Sequence, residues 1–109
     1  MIGRGPLDEP VGGPDAVLDL VEQIPAGRVM SYGMIAEVLG LPSPRMVGAV
    51  MAREGGAVPW HRVVNSVGRL PPGLEREARA RLEAEGVPFR GAHVVMRTAA
   101  WWPEHETPR

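Results

Sequence analysis

The sequence of 109 residues contains no cysteine. That single absence excludes disulfides, thiolate zinc sites, iron–sulfur clusters and every thiol nucleophile. Lysine is missing as well, so all 12 basic residues are arginine. A GC-rich coding bias accounts for such a total, whereas at particular positions the planar guanidinium fork suits phosphates and bases. Aromatic residues are scarce, with one Tyr and one Phe beside three Trp. Long apolar runs are also absent: the longest, Met46 to Ala52, falls far short of the roughly 20 residues that span a bilayer. No basic stretch followed by an apolar segment opens the chain. The expectation is therefore a cytoplasmic protein (nucleoid-associated in a bacterium) without a membrane partner.

What is present fits one small globular domain, 44% hydrophobic and 23% charged, with room for a single modest core. The formal net charge of −1 conceals an uneven distribution. Residues 1–26 set Arg4 against Asp8, Glu9, Asp15, Asp19 and Glu22. Residues 27–70 reverse the balance, with Arg28, Arg45, Arg53, Arg62 and Arg69 against Glu37 and Glu54, and residues 71–109 are neutral. Any attraction for an anionic partner thus belongs to the middle third.

Residues 1–13, rich in Gly and Pro without apolar period, read as a flexible N-terminal arm, 14–103 as the domain, and 104–109 as a frayed end. Val17, Leu20, Val21 and Ile24 lie on one face of a short helix that Pro25-Ala26-Gly27 ends. Arg28-Val29-Met30 is a short extended link. Ser31 then N-caps a second helix running to about Leu39, with Ile35, Val38 and Leu39 inward. Gly40-Leu41-Pro42 breaks that helix, and Ser43-Pro44 is a strong start signal for a third, which runs to about Arg53 and stops at Gly55-Gly56. Two short helices across a tight Gly/Pro turn form a helix-turn-helix pattern, which serves packing as often as DNA binding.

Further on, Val63-Val64 reads as a short strand followed by a turn at Asn65–Gly68, and Leu70-Pro71-Pro72-Gly73 as a rigid loop. Leu74, Ala78 and Leu82 share one face of a helix reaching Glu85, closed by Gly86 and Pro88. The tail 87–103, with Val94-Val95-Met96 and Trp101-Trp102, is expected as a flap over the core.

The stretch that carries most information is Pro59-Trp60-His61-Arg62-Val63-Val64. Taken alone, Trp60 is a core or surface-anchoring aromatic, and His61 a satisfied, partly buried histidine. A His61–Glu85 pair could instead orient a water or a nucleophile, which would make a hydrolase. No serine sits in a G-x-S-x-G context, and His61, His93 and His105 lack metal-ligand spacing, so neither a metal nor a cofactor is expected. A plain helix-turn-helix DNA binder is the other reading open at this point.

Several motifs in order then resemble the DNA-binding domain of the O6-alkylguanine-DNA alkyltransferases. They are Ile24-Pro25-x-Gly27-x-Val29-x-Ser31-Tyr32-Gly33-x-Ile35-Ala36, Arg45-x-Val47-Gly48, Pro59-x-His61-Arg62-Val63-Val64 and Glu85-Gly86. In those repair proteins the reactive cysteine stands between the Pro and the His of Pro-Cys-His-Arg. Here that slot holds Trp60, as in the alkyltransferase-like branch, which binds alkylated guanine without repairing it. Leu70-Pro71-Pro72-Gly73, Glu83-Ala84-Glu85-Gly86-Val87 and Trp101-x-Pro103 are similar to that branch too. An indole has only a weak N–H donor and cannot accept an alkyl group as a thiolate does.

The resemblance implies a mainly α, small winged-helix-like domain with a helix-turn-helix and a short β element, acting as a monomeric, non-enzymatic sensor. Its partner would be double-stranded DNA containing O6-alkylguanine, marked for nucleotide excision repair proteins. The helix beginning at Pro44 would lie in the minor groove, with small Gly48 and Ala49 permitting close approach. Arg45 would enter the base stack where the damaged nucleotide has left, its guanidinium stacking and bonding the orphaned base. Tyr32 would crowd the 3′ phosphate and help rotate the nucleotide outward. Trp60 would line the pocket for the alkyl group, and the carbonyls of Trp60 and Val63 would accept from the guanine amine. His61 and Glu85 match the thiol-activating partners and, with no thiol, are left with a structural role. Outside that resemblance, Tyr32 is a helix-face aromatic and Arg45 a solvated surface charge. The sequence departs from the family at slightly shortened segments around Pro42–Pro44 and Glu54–Ala57. Pro71 and Pro72 stand near where a Tyr-Ser pair is usual, and Ala99 where an aromatic is usual.

Overall fold

A computed structural model describes residues 14–104. The expected arm (1–13) and nearly all of the expected frayed end (105–109) lie outside the described residues. Five helices carry the architecture: α1 (Pro14–Gln23), α2 (Tyr32–Leu39), α3 (Pro44–Glu54), α4 (Glu75–Ala84) and the short α5 (Met96–Ala99). Four two-residue strands join them: β1 (Met30–Ser31), β2 (Val63–Val64), β3 (Phe89–Arg90) and β4 (His93–Val94). Two 3-10 turns, Gly55–Ala57 and Trp60–Arg62, link α3 to β2. The mainly α expectation, with a helix-turn-helix and short β elements, is what the chain adopts.

The first three helices form where the caps direct them. Pro14 opens α1, which buries Val17, Leu20 and Val21, and Ile24 is buried just beyond its end. Ser31 holds extended backbone and accepts from the Met34 amide through Oγ at 3.0 Å, which caps α2. Gly40 closes α2 at φ +71°, a left-handed conformation that glycine adopts without Cβ strain, and Leu41 N donates to Ala36 O at 2.8 Å. Only two residues later Ser43 Oγ accepts from Arg45 N at 3.1 Å, with Pro44 at the first helical position, and α3 begins. Within α2, Ile35 and Ala36 are fully inside, while the expected inward pair Val38 and Leu39 is half-buried.

Packing divides into two clusters with the parallel β1–β2 pair between them. Met30 pairs with Val63 and Ser31 with Val64. Because successive residues of a strand point to opposite faces, Met30 and Val63 join the cluster built on α1, α2 and α3. Val29 and Val64 join Leu70, Ala78, Leu82, Val87, Val94 and Ala99 in the other.

Two expectations need correction. Leu74 is not an inward residue of α4; it precedes the helix at the N-cap and is 47% exposed, while Ala78 and Leu82 alone bury the helix face. The tail is more than a flap over the core. Phe89–Arg90 and His93–Val94 form an antiparallel hairpin, α5 follows, and Val87, Val94 and Ala99 are themselves core. Gly68, at φ +89°, is indispensable there: a Cβ would lie 2.4 Å from Val94 O. Val29 and Ala100 bridge the tail back to the start of β1, and Arg28 Nε reinforces this by donating to Ala99 O at 3.1 Å.

Candidate nucleic-acid interface

The first residue of α2, the middle of α3 and the 3-10 turn before β2 converge on one cavity of about 590 Å³. Tyr32, Gly48, Trp60 and Val63, four residues singled out by sequence, all line it. Met51 and Ala52 from α3, Gly55 and Gly56 from the 3-10 turn after it, and Pro71, Pro72, Leu74 and Glu77 line it as well. Its volume lies within the roughly 300–1,000 Å³ typical of pockets that enclose a small organic molecule.

Trp60 reaches this wall because Pro59 and the tight turn after it fix the backbone. Arg62 N donates to Pro59 O at 3.0 Å, and the amide of Val63 donates to the Trp60 carbonyl. That carbonyl therefore keeps one lone pair for another donor. The indole packs on the second core cluster and meets His61 edge-on, with ring centroids 6.1 Å apart at 84°. The Arg81 guanidinium sits 5.3 Å from the indole centroid, a cation–π contact that holds the ring from α4. Tyr32 is half-buried, and burial raises the pKa of its hydroxyl, which stays a neutral donor at physiological pH.

Gly48 lines the cavity, yet a Cβ built on it would meet nothing within 4 Å. No internal contact demands a glycine there, although glycine costs about 1 kcal/mol against alanine in a helix. Arg45 occupies the first turn of α3 and is exposed. Its guanidinium makes no hydrogen bond or ion pair among the described residues, and it lies outside the cavity wall.

His61 and Glu85 meet, with Nε2 and Oε2 2.8 Å apart, but neither lines the cavity. Sequence reasoning missed the residue that dominates this pair, Arg62. Its Nε donates to Glu85 Oε1 at 3.1 Å, its Nη2 to Oε2 at 2.8 Å and its Nη1 to Ile24 O at 2.9 Å. Gly27 N adds a bond to Oε1 at 3.0 Å. Burial pushes the Glu85 carboxyl up, but the bonds from Arg62, Gly27 and His61 and the field of His61 outweigh it and hold it at about 2. The group staples the end of α4 to the end of α1. His61 is only half satisfied, contrary to expectation: its buried Nδ1 has no hydrogen-bond partner among the described residues. Among those residues no three His, Cys, Asp or Glu gather as metal ligands would, and no helix is long and apolar enough to cross a membrane.

Residues 14–87 match the family model described as the 6-O-methylguanine DNA methyltransferase DNA-binding domain. A DNA base-flipping protein of Escherichia coli is 44% identical over 85 residues, 72% of this chain and 65% of the relative, so the chain spans somewhat under two thirds of that protein's length. Alkyltransferase-like protein 1 of Schizosaccharomyces pombe is 44% identical over 78 residues, covering 65% of this chain and 72% of the relative. The crystal structure of S. pombe Atl1 in complex with damaged DNA containing O6-carboxymethylguanine superposes with a TM-score of 0.70 at 34% identity, over 83% of this chain and 94% of that one.

Proposed function

The chain belongs to the family of the 6-O-methylguanine DNA methyltransferase DNA-binding domain, and from that premise we propose that it is a non-catalytic sensor of O6-alkylguanine in duplex DNA. The observation that carries this reading is Trp60 on the wall of a mostly apolar cavity beside α3, roomy enough for a base and its adduct, in a chain without cysteine. By the resemblance, Trp60 fills the slot of the alkyl-accepting thiol. Recognition then has to be by binding alone.

The α3 helix docks in the minor groove, where Gly48 and exposed Ala49 keep its surface low. Arg45 fills the gap in the base stack. Tyr32 and Trp60 receive the extruded base, and the free lone pair of the Trp60 carbonyl, with the Val63 carbonyl, accepts from its exocyclic amine. Extrusion costs a few kcal/mol, least at a pair already weakened by damage. An aromatic contact to the base returns about 1–3 kcal/mol, and each methylene of the adduct buried on apolar surface about 0.8 kcal/mol more. These magnitudes allow discrimination without chemistry. The lesion stays on the DNA and is marked for another repair pathway, for which the resemblance points to nucleotide excision repair.

A hydrolase reading for His61 and Glu85 finds less support. A general base must reach the reacting atom, and both residues lie off the cavity wall, with Glu85 fully engaged by Arg62 and Gly27. Titration of the protein into duplexes differing only in guanine or O6-methylguanine, at two salt concentrations, tests the proposal. The expected result is a preference for the lesion that persists as salt rises. Equal affinities that fall together with salt identify a backbone binder and overturn the reading.

A further inference from the structure

Among the described residues lining the cavity, Glu77 alone carries a formal charge. It comes from the first turn of α4, and Pro71, Pro72 and Leu74 just before that helix line the cavity with it. Arg81, one turn on, donates from Nη2 to Glu77 Oε2 at 2.6 Å while its guanidinium rests over the Trp60 ring. The carboxylate is thereby tied to the indole through a single arginine, which limits its swing. Its Oε1 makes no hydrogen bond among the described residues. The cavity thus has one half-exposed anionic acceptor at its rim on an otherwise neutral lining.

We propose that Glu77 forms a subsite for the tip of the O6-alkyl group, favouring tails that end in a hydrogen-bond donor and disfavouring tails that end in a carboxylate. This rests on the sensor reading above and adds to it which adducts are preferred. A hydroxyl-tipped tail donates to Oε1; a methyl group reaches no polar partner; a carboxylate tip meets like charge at a half-exposed rim. Like charges a few ångströms apart, between the dielectric limits of protein and water and partly offset by Arg81, cost on the order of tenfold in affinity.

The test uses the full chain and duplexes of one sequence containing guanine, O6-methylguanine, O6-(2-hydroxyethyl)guanine or O6-carboxymethylguanine. The wild type is expected to bind the carboxymethyl duplex about tenfold more weakly than the hydroxyethyl duplex. Glu77→Gln should reduce that ratio to within about twofold, and Arg81→Met, which leaves the carboxylate uncompensated, should widen it. Thermal melts of both variants confirm folding, and since the two act in opposite directions, general damage to the pocket cannot mimic the pattern. A hydroxyethyl-to-carboxymethyl ratio near one in the wild type, or one that Glu77→Gln leaves unchanged, overturns the proposal while the lesion preference stands. Equal binding of guanine and O6-methylguanine duplexes removes the sensor reading and this subsite with it.

Discussion

At the scale of single residues the proposed interface draws on groups that the rest of the protein does not need. Arg45 is exposed and unpaired among the described residues, and Gly48 has no internal neighbour that a methyl group would touch. Arg45→Ala should therefore leave the thermal melt within about 0.5 kcal/mol of wild type while weakening binding to the O6-methylguanine duplex at least severalfold. Gly48→Ala separates fold from function in opposite directions. Chemical denaturation should report a gain of about 0.5–1 kcal/mol from helix propensity, and titration a loss of lesion affinity because the helix surface is raised. Tyr32→Ala removes a half-buried ring from the cavity wall and should lower lesion affinity, at the cost of some stability. Lesion affinity unchanged in all three variants would contradict the docking arrangement.

At the scale of elements, the device that holds the site together is the Glu85 cluster. It joins the end of α4 to Gly27, Ile24 and the turn bearing His61 and Arg62. Its carboxyl, ordinarily at 4.5 and here held at about 2, is more strongly ionised in the folded chain than in the unfolded one. The resulting stabilisation, about 3 kcal/mol, is fully present above pH 4.5 and is lost as pH falls from there toward 2. Denaturation midpoints measured from pH 7 to pH 2 should drop across that window. Glu85→Gln should be less stable at pH 7 and show a flatter acid limb; an acid limb identical to wild type would show that the cluster does not contribute. The elements around it were unequally legible. Helices α1 to α3 are written locally, in caps at Ser31 and Ser43, breakers at Gly40 and Pro42, and apolar spacing. The β1–β2 pairing joins strands of two residues from distant parts of the chain, too short for any period to reveal. Leu74 fits the spacing of α4 but lies outside the helix, because spacing does not say where the first turn begins. The hairpin at 89–94 has only Gly91 and Ala92 in its turn and Val94 alone buried, so the tail read as an apolar run rather than as paired strands.

At the scale of the molecule, two clusters of core meet along β1–β2, and the cavity opens where α2, α3 and the Trp60 turn adjoin α4. Sequence resemblance singled out Tyr32, Gly48, Trp60 and Val63, which the fold brings to one cavity, and Arg45, which lies off its wall. It could not supply Met51, Leu74 or Glu77, whose place on the wall depends on how α3 and α4 are set about the Trp60 turn. Nor could it give Arg62 its anchoring role, which follows from acceptors on Ile24 and Glu85, both far from it in sequence. The central claim is that this assembly recognises alkylated guanine and leaves it unaltered. The most direct measurement incubates excess protein with a duplex carrying one O6-methylguanine under conditions that retain the complex. The DNA is then digested to nucleosides for quantitation by mass spectrometry, and the intact protein is weighed. The account predicts that the lesion is recovered in full and the protein mass is unchanged. Conversion of the lesion to guanine, or a protein heavier by a methyl group, would contradict it.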